Sequence, residues 1–295
     1  MTYQPKLFEA FVSRLEQYGP QEGVNTTSLD NLIVIRESES HAKIRTAYEP
    51  FLLIGGRGQK NCYVGKQKYE YGVGRGLAIL LSMPVQTEII GATPDNPFLA
   101  AVIGLSLERM SAILMKIERA EGFAAQPAAE DMSGIFSLPL TDALIRPFLR
   151  LFEALESVRD TAVLSDLLID EIHYRLLCHE SGVVLRSLLH QRGQIQRISR
   201  AIDHIHQHVD QPVSVEQLAA MVHMSRTTFY EHFRSVMHVS PLQYAKSVKL
   251  FQANKFIRDG KNASEAGYLV GYNSPAQFSR EYKRHFGYAP SATVV

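Results

Sequence analysis

Up to about residue 105, apolar residues come in short alternating or unbroken runs, "FLLIGG", "NCYVG", "KYEYGVG", "GLAILLSMPV" and "QTEIIGA", separated by Gly, Pro and Asn. Such runs predict strands, and strands so closely spaced predict a small barrel or sandwich. From Leu107 the period changes to that of amphipathic helices, in "LERMSAILMKIERAEGF", "DALIRPFLRLFEALES" and "TAVLSDLLIDEIHYRLLCHESG". Leu144, Phe148, Leu151, Phe152 and Leu155 share one helical face, and Leu164, Leu167, Leu168, Ile172 and Leu176 share another. Core burial accounts for most of this pattern, and one stripe is a candidate homodimer contact. Around "LLHQRGQIQ" the apolar pattern weakens and Gly193 interrupts it, so a domain boundary is placed there, dividing 1–190 from 191–295.

Beyond the boundary about seven short-linked helices are predicted. Ser-x-x-Gln capping boxes mark starts at Ser214, Ser240 and Ser274, with the related Asn262-x-x-Glu265. Pro241 and Pro275 fall at the first helical position, where a missing amide hydrogen costs nothing. "SPLQYAKSVKLFQANKFIRDG" predicts one long helix, Pro241 to Arg258, able to pack Tyr244, Val248, Phe251 and Phe256 on the helices at both sides.

Sliding this region against itself by 49 residues places Ser225 on Ser274, Phe229 on Phe278, Phe233 on Tyr282, Arg234 on Lys283, Pro241 on Pro290 and Glu216 on Glu265. Each copy reads as helix, tight turn, helix. "SVEQLAAMV" buries Leu218, Ala219 and Val222, "HM" turns, and Ser225 caps a helix that buries Phe229 and Phe233. In the second copy Gly271 ends the first helix in a left-handed conformation, and Ser274 caps a helix that buries Phe278 and Tyr282. The opposite faces carry Arg226, Thr227, Tyr230, Glu231 and Arg234 in one copy, and Ala276, Gln277, Arg280 and Lys283 in the other.

Those faces suit a reader of the DNA major groove. Arg and Gln make bidentate bonds to base edges, small residues and Thr meet thymine methyls, and flanking Lys or Arg grips phosphate. The helix starts at Ser225 and Ser274 add exposed amides for a phosphate, and Lys246 on the long helix joins the DNA-binding candidates. Two readers on a rigid bar would enter successive groove segments about 34 Å apart on double-stranded DNA.

Charge sharpens this picture. The 295 residues carry a net charge of only +1, yet residues 1–192 hold 19 Lys+Arg against 23 Asp+Glu, and residues 193–295 hold 12 against 7 with seven of the eleven histidines. An acidic part is joined to a basic one, which points to a polyanion partner for the C-terminal part alone. No secretory segment opens the chain, and no apolar run of about 18 residues occurs to span a membrane. Cys62 and Cys178 form no C-x-x-C, so a reducing, cytoplasmic setting is expected.

Residues 197–290 resemble the AraC/XylS-type DNA-binding domain, through "VSVEQLAAMVHMSRTTFYEHFRSVMHVSPLQY" and "VGYNSPAQFSREYKRHFG". "YEYGVGRGLAILLSMPVQTEIIGATPDNPFLA" is similar to the cupin-like N-terminal domain of one subgroup of these regulators. The resemblance implies an α+β chain: a β-rich, cupin-like, effector-sensing domain with trailing helices, then an all-α pair of helix-turn-helix units on a linker helix. It implies a bacterial transcription regulator, often an activator that contacts RNA polymerase. By the family's pattern Arg226, Thr227, Tyr230 and Glu231 face bases in the first unit, and Ala276, Gln277 and Arg280 in the second. Ala276 departs from that pattern, in which a hydroxyl is frequent.

Tyr63, Tyr69, Tyr71 and Arg75 are candidates to line an effector pocket, with ordinary sheet packing as the alternative for each. Cys62 is expected to be a buried structural thiol, with oxidant or aldehyde sensing as its alternative role. His204, His206 and His208 alternate around a helix and are not expected to hold a metal, and only His41 lies in the strand-rich part. No G-x-S-x-G, phosphate-cradling loop or carboxylate pair stands out, so neither enzyme activity nor a cofactor is expected. The second reading is a small-molecule-binding protein or enzyme whose C-terminal helices dock a protein partner.

Overall fold

The computed structural model describes residues 3–121, 133–190 and 194–293. The interruption at Gly193, on which the expected boundary rests, lies outside the described residues. The chain opens with α1 (Pro5–Tyr18) and continues through β1 (Gly23–Thr26), β2 (Leu32–Glu37), β3 (His41–Tyr48), β4 (Phe51–Arg57), β5 (Gln59–Val64), β6 (Gln67–Gly72), β7 (Arg75–Ile79), β8 (Met83–Ile90) and β9 (Phe98–Gly104). Then come α2 (Leu107–Glu121), β10 (Ile135–Pro139), α3 (Asp142–Ala154), α4 (Val158–Cys178) and α5 (Gly182–His190). The C-terminal helices are α6 (Gln194–Gln207), α7 (Val215–Met221), α8 (Arg226–Met237), α9 (Pro241–Arg258), α10 (Ala263–Leu269) and α11 (Pro275–Phe286), followed by a 3-10 turn at Pro290–Ala292.

The strands form one antiparallel sheet in the order β1-β2-β9-β4-β7-β6-β5-β8-β3, with β10 on β7, curled into a half-barrel. Register decides what faces inward. Cys62 lies opposite Tyr69 and Thr87, and Lys60 lies opposite Tyr71 and Ile89, so these side chains share a face. Cys62, Tyr71 and Phe98 are buried, and the buried Lys60 is neutralised by Glu37 at 2.8 Å. Burial pushes the Cys62 thiol up to about 12, which makes it inert at neutral pH.

Two elements differ from the sequence-based expectation. The segment before β1 is a helix, because Phe11 and Leu15, one turn apart, pack against Phe148 and Phe152 of α3 and the sheet. The supposedly all-helical stretch after Leu107 contains β10, whose Ile135, Phe136 and Leu138 are buried as it pairs with β7. The α4 stripe also divides: Leu168, Ile172 and Leu176 are buried, whereas Leu164 and Leu167 are exposed.

The buried residues form two clusters. The larger runs from the half-barrel through α3 and α4 into α6, α7, α8 and the first turns of α9, where it includes Phe229, Phe233, Val236 and Tyr244. The smaller holds Leu250, Ala253, Ile257, Ala266, Val270, Phe278 and Tyr282. The first helix pair is thus built onto the sheet's core, and the second carries its own.

Candidate nucleic-acid interface

Both helix pairs are shaped by the residues their sequences place at the ends. In the first, Ser214 caps α7 through the Gln217 amide at 3.3 Å and Ser225 caps α8 through the Thr228 amide at 3.1 Å. In the second, Asn262 accepts from the Glu265 amide at 2.9 Å and Ser274 from the Gln277 amide at 3.3 Å. Each cap satisfies one of the amides a helix start leaves open. Phe229 and Phe233 of α8 and Phe278 and Tyr282 of α11 are buried, which turns the opposite faces to solvent.

The 49-residue offset holds for α8 and α11 but not for the helices before them. The N-caps Ser214 and Asn262 are 48 apart, while Ser225 and Ser274 are 49 apart. The second turn is therefore one residue longer, and Glu216 and Glu265 occupy different positions in their helices. The first turn bends at His223, φ 54°, and the second at Gly271, φ 82°. Gly271 tolerates no side chain, since a Cβ there would lie 2.0 Å from the Asp210 carbonyl oxygen.

The sequence-predicted reading residues lie outward. Ser225, Arg226, Thr227, Tyr230, Glu231 and Arg234 are exposed on the first unit, and Ala276, Gln277, Arg280 and Lys283 on the second, with Ser274 half-buried. Arg226 pairs with Glu216 at 3.0 Å, an exposed contact that a phosphate or base can displace. Among the described residues Arg280 and Lys283 pair with no carboxylate.

Lys246 is placed differently. Its Nζ lies 3.1 Å from Glu281 of α11, while the neighbouring Lys249 donates to the Val270 carbonyl at 3.0 Å. Burial lowers the Lys249 pKa, with Asp210 opposing the shift. Both lysines thus fasten the second unit to α9. Two residues before Lys246, Tyr244 donates to the Ser82 carbonyl at 2.8 Å, lies 2.8 Å from His206 Nε2 and packs edge-on against Phe233. Of the expected capping boxes only Ser240 with Gln243 is reciprocal. His204 and His208 stack with ring centres 4.1 Å apart at the C-terminal end of α6, with His206 turned away to Tyr244.

Sequence reasoning missed three contributors. Glu281 is a mostly buried carboxylate that accepts from Tyr272 Oη at 2.8 Å, from Lys246, and from Gln277 Nε2 at 3.5 Å. Burial raises its pKa, but these hydrogen bonds outweigh that effect and leave it below the usual carboxylate value. Tyr272, in the turn, is the second contributor. The third is His238, the left-handed cap of α8, whose Nε2 lies 2.7 Å from Ser133 Oγ and 3.2 Å from Tyr69 Oη of the sheet domain. Gln277 and Glu281, four residues apart on one helix, were the only pair visible in sequence.

The effector-pocket candidates do not converge. Tyr63 points to the opposite sheet face from Tyr69 and Tyr71 and donates to Glu88 at 2.7 Å. Tyr69 reaches His238, Tyr71 is buried in the core, and Arg75 is exposed beside Ser137.

Residues 28–184, over half of the chain, match the family model described as the AraC-type transcriptional regulator N-terminus, and residues 218–294 match a helix-turn-helix domain. The chain belongs to the AraC-type transcriptional regulators. Similar curated relatives include the probable transcriptional regulator LumQ of Photobacterium leiognathi, 29% identical over 113 residues, which are 37% of this chain and 46% of that one. The regulator AlkR of Acinetobacter baylyi is 34% identical over 94 residues, 32% of this chain and 31% of its own. The chain thus spans less than half the length of these relatives. Among solved structures, ToxT of Vibrio cholerae with a bound unsaturated fatty acid superposes with a TM-score of 0.56 over 92% of this chain and 96% of that one, at 12% identity. This AraC-type regulator therefore shares the ToxT fold over most of its length.

Proposed function

We propose that this AraC-type regulator binds double-stranded DNA sequence-specifically, by placing α8 and α11 in successive major-groove segments. One observation carries the reading: two capped helices with apolar faces buried and polar faces exposed are both fastened to a single helix, α8 through Phe233 on Tyr244 and α11 through Glu281 on Lys246 and Tyr282 on Asn254. The 18 residues of α9 join the two units as one bar, with Tyr244 and Ala245 in the core of the first and Leu250, Ala253 and Ile257 in the core of the second, which suits readers held in fixed relation on successive groove segments. Arg226, Thr227, Tyr230 and Glu231 of α8, and Ala276, Gln277 and Arg280 of α11, face bases. Arg234 and Lys283 face phosphate, as do the first-turn amides after Ser225 and the Ala276 amide after Ser274 and Pro275.

The sheet domain, residues 1–190, is the sensing part, and residues 191–295 are the DNA-binding part. A cleft of about 730 Å³ between them is edged by Arg45 of β3, Arg284 and His285 of α11, and the paired Lys246 and Glu281, which leaves Arg45 and Arg284 as its uncompensated cations among the described residues. A small acidic effector bound there would touch both domains; ToxT, of the same fold, has been solved with a fatty acid. In the cytoplasm the bound regulator would act on RNA polymerase. Selection of bound genomic fragments, followed by gel shifts over a salt series, tests this: a shared motif and a steep loss of affinity with salt are expected. Weak binding that is equal on every fragment would overturn it.

A further inference from the structure

Glu281 does more than fasten α11. At the start of α9 the Gln243 carboxamide closes its own capping box, its oxygen 3.1 Å from the Ser240 amide. Gln277 occupies the same third position after Ser274, and only the forward half of its box forms. Its carboxamide turns instead toward Glu281, with Nε2 3.5 Å from Oε1. The Glu281 carboxylate is held in place by Tyr272 and Lys246, is only 15% exposed, and is ionised at neutral pH.

An ionised carboxylate only accepts hydrogen bonds, so the group it takes from Gln277 must be the amide NH2. This fixes which way the carboxamide faces. One N–H is committed to Glu281, leaving one N–H and the oxygen side by side on the exposed face of α11. Adenine presents an acceptor, N7, and a donor, the N6 amino group, in the major groove, and one N–H with one oxygen matches that pair. Guanine presents two acceptors, N7 and O6, and would set the Gln277 oxygen against O6.

We propose that Glu281 is a specificity-determining positioning residue, which holds Gln277 oriented to read adenine. The proposal rests on the DNA-reading function of α11. Lys246 reinforces it, because its charge keeps the buried carboxylate ionised and in place.

Selection from a random double-stranded library, with the full chain, tests it through three variants beside the native protein. Gln277→Ala identifies the position that Gln277 reads. The native protein is expected to prefer adenine over guanine there by about tenfold, about 1.4 kcal/mol. Glu281→Gln, whose carboxamide can accept or donate, is expected to bring that preference within about twofold and leave all other positions unchanged. Lys246→Ala, which removes one of the two groups holding Glu281 but leaves Tyr272 on it, is expected to lower the preference less than Glu281→Gln does, and a larger loss than that of Glu281→Gln would overturn the role of Glu281. An unaltered adenine preference in Glu281→Gln, or an equal loss at every position, would overturn the role of Glu281 while leaving DNA reading intact. Guanine preferred by the native protein would do the same. A native protein that selects no motif would remove the proposed function along with it.

Discussion

His238 and Gly287 end the two reading helices in the same left-handed conformation, φ 56° and φ 89°, exactly one repeat apart. Glycine adopts this conformation freely, whereas an L-residue pays roughly 1–2 kcal/mol for it. The histidine stands where the first unit meets the sheet domain: its ring reaches Ser133 and Tyr69, and its carbonyl lies where a Cβ on Gly65 would approach to 2.9 Å. Beside it the Gly134 amide donates to the Val236 carbonyl at 2.9 Å.

His238→Gly should therefore preserve the cap of α8 and loosen the domain contact. The Gly134 amide is expected to exchange with deuterium at least about tenfold faster, equivalent to about 1.4 kcal/mol, with exchange in α11 unchanged. Equal rates in variant and native chain would mean that the imidazole contributes nothing to docking.

The basic residues of the DNA-binding part should not be equivalent in salt. Lys283, which has no carboxylate partner among the described residues, is expected to lower the salt slope by about one unit when changed to Ala. Lys246 already has Glu281 as its counter-ion, so Lys246→Ala should move the slope by much less. Arg280→Ala should cost roughly 1–3 kcal/mol on a specific site and relax one base position. Gel shifts at four salt concentrations separate the three.

Phe278→Ala removes the centre of the smaller cluster and should cost about 3–5 kcal/mol. Because that cluster is distinct from the main core, the loss is expected to be local. Protease should cut in α10 or α11 while the sheet and α8 stay protected, and a footprint on operator DNA should shrink to one half-site.

Acid should weaken the fold through His285. Burial, with Arg45 nearby, lowers its pKa to about 4, against 6.5 for the unfolded chain. Between those values the unfolded state binds more protons, so stability falls as pH drops from 6.5 toward 4. The loss is on the order of 2 kcal/mol at pH 5. His285→Gln should flatten urea midpoints between pH 7 and 5 relative to the native chain.

What could be read from sequence was what neighbouring residues decide among themselves. Pro241 after Ser240, with Gln243 three residues on from the serine, marked the start of α9, and its end fell at Arg258 as expected. The inward pairs Phe229 with Phe233 and Phe278 with Tyr282 were equally plain, since spacing alone puts them on one face. α1 was missed because only Phe11 and Leu15 are buried in it, too narrow a stripe to stand out beside strand-like runs. β10 was missed because five residues between helices carry almost no period, and its partner β7 is about sixty residues away. Glu281 depends on Lys246, 35 residues distant, and His238 on Tyr69, 169 residues distant. Such partners are chosen by the folded chain, not by spacing.

The continuity of the larger core sets where this protein can be cut. A fragment beginning at α6 would take both helix pairs but leave Val236 without Gly134 and Tyr244 without the Ser82 carbonyl. It would present an oily patch to water on its first reading unit while its second stayed intact. A minimal DNA-binding fragment should therefore be made with polar replacements at that patch, or with the sheet left attached.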